Sequence, residues 1–142
     1  MSPFARPDTT TLFHIDLNWF PQNGRDFREE MHTVLCDECR TRYPTSADAG
    51  VVDRVHPITG EVARVDALWE AIADHCGLKP GFITPSTPLT TSIFRALLAN
   101  GNQPMTPEQL HKRIGKNNPA GILKILMGSE IENGIMPYEK KV

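Results

Sequence analysis

The feature that most limits how this chain can fold is the helix punctuation of residues 90–138. Thr91 to Asn100 places Ile93, Phe94, Leu97 and Leu98 on an i, i+1, i+4, i+5 stripe. That is the pattern of a helix with one buried face. Asn100-Gly101-Asn102 follows, and these residues tolerate the left-handed backbone that stops a helix. Thr106-Pro107-Glu108-Gln109 then starts a second helix sharply. Thr106 can cap, Pro107 suits the first helical position, and Gln109 stands three residues past the cap, as a capping box requires. Leu110 and Ile114 share its apolar face, and Gly115 closes it. A turn at Lys116-Asn117-Asn118-Pro119 leads to a third helix over about residues 120–129, with Ile122, Leu123, Ile125, Leu126 and Met127 as its apolar set. Asn133-Gly134 lies between Ile131 and Ile135-Met136 and predicts a hairpin turn, since both residues accept positive φ.

Taken together, Thr106-Pro-Glu-Gln-Leu, Gly115, the third helix and Glu132-Asn-Gly-Ile resemble the winged helix-turn-helix superfamily over roughly the last 50 residues. The resemblance implies a winged-helix-like domain at 90–142 that binds double-stranded DNA as a homodimer. In such folds the third helix enters the major groove with its early residues on base edges. Here those residues are Lys116, Asn117, Asn118 and Lys124; Asn can read adenine and Lys can reach guanine or phosphate. Lys112 and Arg113 on the second helix would meet phosphates. Many winged helices bind proteins instead, and Ile125 and Met127 would then form the contact.

Charge is divided unevenly between the two parts. The whole chain is −2. Residues 90–142 carry seven basic and four acidic residues, a net of +3, whereas the first 89 carry eight basic and thirteen acidic, a net of −5. A basic tail on an acidic body is the arrangement that phosphate contact needs. The third helix itself contributes one basic residue, Lys124.

The preceding part reads as a helix–hairpin–helix body over 1–80. Leu12 to Leu17 alternates like a short strand, and Asn18 to Gly24 is an aromatic turn. From Arg25 the pattern is helical, with Phe27, Met31, Val34 and Leu35 on one face until Tyr43-Pro44 breaks it. Val51–His56 and Glu61–Val65 flank Pro57-Ile58-Thr59-Gly60 and predict a hairpin. Asp66 caps a helix carrying Leu68, Trp69, Ile72 and Ala73, which Gly77 ends. Residues 81–89, with Pro85 and Pro88, read as a linker. The fold class is therefore α+β and rich in helix.

Cys36-Asp37-Glu38-Cys39 introduces thiol chemistry. If residues 25–42 form one helix, His32, Cys36 and Cys39 share a face. Sulfur and imidazole ligands suit zinc, which takes four in a tetrahedron. The fourth would be Cys76 or His75, at the end of the helix after the hairpin, or His56 in the hairpin. The order of knuckle, hairpin and helix resembles treble-clef zinc modules, except that those take their second ligand pair at the helix start. Cys36, Cys39 and Cys76 with one more ligand could instead hold an iron–sulfur cluster, which would make the chain a redox-sensing regulator. The competing reading is that the three cysteines are small buried hydrophobes without metal. Three cysteines in a cytoplasmic chain do not make a disulfide framework.

No Gly-rich phosphate loop, nucleophile elbow or HExxH motif occurs, which leaves an enzyme reading little support. No apolar run of membrane-spanning length and no signal-peptide core is present, so a cytoplasmic location without membrane contact is expected. The sequence thus predicts a small DNA-binding or regulatory protein. A protein-interaction module or a metal- or redox-sensing regulator is the alternative.

Overall fold

In the computed structural model, which describes residues 6–128 and 133–138 of the 142, the chain is a helix-rich α+β structure. Its elements run β1 (Phe13–Ile15), α1 (Trp19–Gln22), α2 (Phe27–Thr33), α3 (Asp37–Arg42), β2 (Val51–Val55), β3 (Val62–Asp66), α4 (Ala67–Asp74), α5 (Leu89–Ala99), α6 (Pro107–Ile114), α7 (Pro119–Leu126) and β4 (Ile135–Pro137). Among the described residues no helix is long and apolar enough to cross a membrane.

The C-terminal helices follow their sequence signals closely. Thr106 and Gln109 form the reciprocal capping box of α6, and Gly115 ends it in the left-handed conformation. Asn118 caps α7 through the Gly121 amide. The stripe of α5 is driven fully inward: Ile93, Leu97 and Leu98 are solvent-free, as are Leu110 and Ile122 on the neighbouring helices.

Residues 81–89, expected as a linker, bring Phe82, Ile83 and Leu89 to the core. Phe82 is buried, and one core takes in Phe13, Phe20, Met31, Leu68 and Ile72 together with Ile93, Leu97, Leu110, Ile122 and Ile135. The chain ends also meet. β1 pairs antiparallel with β4, with His14 opposite Met136, and Phe13 exchanges both backbone hydrogen bonds with Met105. Asn102, at a positive φ of 60°, offers its side-chain amide to the backbone of Ile15: Oδ1 accepts from the Ile15 N–H and Nδ2 donates to its carbonyl, both at 2.8 Å. A side chain thus stands in for a neighbouring strand.

The expected turn at Asn133-Gly134 has both residues at positive φ. The strand expected before it, around Ile131, lies outside the described residues, and the one after it, β4, finds its partner in β1. At Gly134 a Cβ would stand 2.6 Å from the Asp16 carbonyl and 2.9 Å from the Trp19 Cβ, so only glycine fits. Arg25 fastens the same corner. It bonds Glu30 and the Asn133 side chain and lies over the Trp19 and Phe20 rings.

The hairpin of β2 and β3 forms as expected, in the register Val51↔Asp66 to Val55↔Val62. His56 belongs to its turn, where Nδ1 accepts from the Ile58 and Thr59 amides. The base of the hairpin is held by Arg28, which reaches both Asp66 carboxylate oxygens and the carbonyls of Ser46 and Ala49. Asp66 also accepts from the Leu68 amide and so caps α4. Trp69 of α4 donates its indole N–H to the Leu98 carbonyl, which docks α4 on α5.

Candidate metal centre

The helix expected over 25–42 is two helices. α2 ends at Thr33, Val34 and Leu35 turn the chain, and Cys36 occupies the N-cap of α3 in an extended conformation. Asp37 and Glu38 in the first turn of α3 favour a new start there, because acidic groups stabilise the exposed amides of a helix N-terminus. The break removes His32 from the group. Its Nε2–H donates to the Tyr43 carbonyl at 2.8 Å, and its place beside the cysteines is taken by His75.

The first turn of α3 presents Cys36 and Cys39 toward the end of α4. There the helix stops at Asp74, and His75 leads into a short 3-10 turn over Cys76–Leu78. Gly77 permits this close approach, since a Cβ there would come 2.7 Å from the Ile72 carbonyl and 2.8 Å from the Ala99 Cβ. As a result, ligand atoms of Cys36, Cys39 and His75 lie within 4.8 Å of one another. Cys76 adds a third sulfur, 3.5 Å from that of Cys36. Cys39 and Cys76 are buried and Cys36 is half-buried.

The surroundings favour thiolate at Cys36 alone. The Cys36 amide donates to the Cys76 sulfur at 3.3 Å. Burial by itself would raise the Cys36 pKa. The Cys39 amide, the Cys76 and Cys39 thiols and the Lys79 ammonium outweigh burial and bring Cys36 down to about 7. Burial, reinforced by the thiol groups of Cys76 and Cys36, pushes Cys39 up to about 12. Cys76 also rises, chiefly through burial. Without a cation the cluster therefore holds one readily ionised thiol and two that keep their protons. A bound divalent ion would displace those protons.

An outer layer of charge completes the centre. Glu38 places one carboxylate oxygen 3.3 Å from His75 Nε2 and the other 2.7 Å from Lys79 Nζ. Hydrogen bonds from both hold the Glu38 carboxyl below its usual range, the Lys79 contact first.

The residues expected to meet DNA are dispersed in role. Arg113 donates to the Gly77 carbonyl at 2.9 Å. Lys116 bonds the carbonyls of Pro85 and Thr87, tying the turn before α7 to the segment before α5. Asn117 sits at φ 59° and its carbonyl accepts from His111, while Asn118 is occupied as the α7 cap. Lys112 and Lys124 are exposed, and neither makes an ion pair or side-chain hydrogen bond among the described residues. Ile125 and Met127 are 37% and 50% exposed on or beside the same helix.

No family model, curated protein or solved structure matches the chain.

Proposed function

We propose that this is a zinc-binding protein in which Cys36, Cys39, His75 and Cys76 hold the ion and so staple the start of α3 to the end of α4. The observation that carries the reading is the convergence of a thiol pair from one helix start with an imidazole and a third thiol from a distant helix end. The donor set fits the metal. Zn–S bonds of about 2.3 Å in a tetrahedron set neighbouring sulfurs about 3.8 Å apart, close to the 3.5 Å between Cys36 and Cys76. An amide N–H to sulfur stabilises thiolate, and a ligating imidazole commonly gives its second nitrogen to a carboxylate, the part Glu38 would play. Three thiolates and a histidine also suit an iron–sulfur cluster, and the two are separated by colour. Zinc gives a colourless protein that binds cobalt in its place with thiolate-to-metal absorption, whereas a cluster gives a brown one.

The metal-held body carries a basic C-terminal surface, and we read this surface as a contact for double-stranded DNA by a small homodimeric regulator. The exposure of Lys112 and Lys124, together with the +3 balance of residues 90–142, supports this. The internal work of Arg113, Lys116 and Asn118 narrows the contact to those two lysines and the exposed Asn117. The exposure of Ile125 and Met127 favours the competing reading, a protein partner on the same face. Titration of fluorescent duplex DNA at two salt concentrations separates them. The DNA reading expects binding that weakens steeply with salt and that Lys124→Glu reduces. Absence of binding at low salt transfers the surface to a protein partner.

A further inference from the structure

The cysteine cluster is entered from two sides, and the sides differ. A cavity of about 560 Å³ opens between the α2–α3 turn, the segment after Cys76 and α5; its wall includes Cys36, Cys76, Arg40, Lys79, Phe82 and Arg95. Cys39 is not part of that wall. It faces a second cavity of about 260 Å³ together with His75, Glu38 and Arg42. A small molecule in the larger cavity therefore meets the half-buried Cys36, and the buried Cys76 sulfur in the same wall lies 3.5 Å from it.

We propose that Cys36 is a modification site for hydrogen peroxide, with Cys76 as its resolving partner, so that oxidation closes a Cys36–Cys76 disulfide and disarms the metal centre. In the first step the Cys36 sulfur attacks one peroxide oxygen. The O–O bond breaks, an S–O bond forms, and the other oxygen leaves as water after taking the thiol proton. In the second step the Cys76 sulfur attacks the Cys36 sulfur; the S–S bond forms, the S–O bond breaks, and the hydroxyl leaves as a second water with the Cys76 proton. The two sulfurs give up two electrons in all, and the peroxide accepts them. The sulfurs need only close from 3.5 Å to the bond length of about 2.05 Å, a movement within reach of side-chain rotation. Cys39 and His75 are spared but cannot hold zinc as a pair. The loss of metal on oxidation rests on the zinc reading; the disulfide itself does not.

The experiment treats the reduced, chelated full chain with hydrogen peroxide and maps its peptides without reduction. The expected product is an intramolecular Cys36–Cys76 link with loss of two hydrogens, Cys39 remaining open to alkylation. Cys76→Ser is expected to stop at a Cys36 sulfenic acid that dimedone traps, and Cys39→Ala to leave the link intact. A Cys36–Cys39 link, a purely intermolecular link, or loss of Cys39 alkylation in the wild type overturns the proposal, whether or not either variant folds. A parallel sample loaded with zinc before peroxide tests the metal reading separately. Slower oxidation followed by zinc release upholds both; a Cys36–Cys76 link formed at the same rate, with no zinc bound beforehand, upholds the disulfide and rejects the metal site.

Discussion

The C-terminal helices and the α2–α4 body are held together by different means. Helices α5 to α7 close on solvent-free aliphatic side chains and end in standard caps and glycine stops. The body's helices, of seven, six and eight residues, are matched by α6 and α7 at eight each, so helix length does not distinguish the two regions. Helices so short have little stability of their own. The body's β2–β3 hairpin exposes Val51, Val55, Ile58 and Val62, with Ile58 in the turn at 88%. Beyond its share of the common core, the body is tied by specific polar contacts, the Arg28 clamp on Asp66 and the Arg25 corner. The lesson is that the body adds directional ties to the apolar core it shares with the C-terminal helices, and that removing one of them acts on a whole corner.

That contrast can be broken at its apolar end first. Leu97→Ala, at a solvent-free position of α5, is expected to cost about 2–5 kcal/mol, through lost burial and the cavity it leaves. Denaturant unfolding measures it, and a cost below about 1 kcal/mol would show that α5 is not the centre of the core. Chelation comes next. With free zinc at about a hundred times its Kd, metal removal is expected to lower stability by about 2.7 kcal/mol. Hydrogen exchange is expected to place most of the loss in α3 and the end of α4, not in α6 and α7. Even protection loss throughout would erase the distinction between the regions. Arg28→Ala is expected to cost about 1–2 kcal/mol, the lower part of the range for charged hydrogen bonds because both partners are partly exposed.

The pH response sharpens the same comparison with smaller effects. Burial tends to raise the Asp66 pKa, but the Arg28 guanidinium and the Leu68 amide hold it below its ordinary 3.8. A depressed carboxyl contributes stability above its unfolded pKa and loses it as pH falls through the folded value. The share of stability that Asp66 contributes is therefore lost only as pH falls below the usual carboxylate range, and it is smaller in Arg28→Ala. In the metal-free protein Cys39 behaves oppositely. Its pKa is raised from 9.0 to about 12, so its contribution is complete below pH 9 and disappears as pH climbs toward 12. Bound zinc is expected to remove that alkaline loss, because the ligating sulfur is then already deprotonated. Thermal melts across this range, with and without zinc, check the sign. The smallest expected effect is at Lys124, where exchange for Glu is expected to change stability by less than about 0.5 kcal/mol.

What could be read in the sequence follows the same division. Where local chemistry decides, the elements were legible. Thr106-Pro107 and Gln109 start α6, Gly115 ends it, Asp66 caps α4, and the run around Pro57–Gly60 forms the hairpin. Where tertiary contacts decide, the local sequence is silent. The proline-rich segment at 81–89 resembles a linker, yet Phe82 is buried and its carbonyl holds Arg95. Nothing local tells Ile135–Pro137 to pair with Phe13–Ile15, more than a hundred residues earlier. In the centre itself the pair Cys36 and Cys39 is readable from type and spacing, and Cys76 only as one of several fourth ligands. His32 was misplaced because apolar periodicity continues through a helix break. The acidic pair Asp37-Glu38, directly after Cys36, was the available sign of that break. His75 entered the reading only as one of several fourth ligands, since whether a residue just past a helix end faces a distant thiol pair depends on how α3 and α4 pack.

The measurement that tests the account most directly is native mass spectrometry of the reduced full chain, titrated with zinc and in parallel with cobalt. The account predicts one ion per chain, cobalt absorption characteristic of thiolate ligation, and loss of both in Cys36→Ser and in His75→Ala. A folded wild-type chain that takes up neither ion, or a His75→Ala variant that binds as tightly as wild type with an unchanged cobalt spectrum, would contradict it.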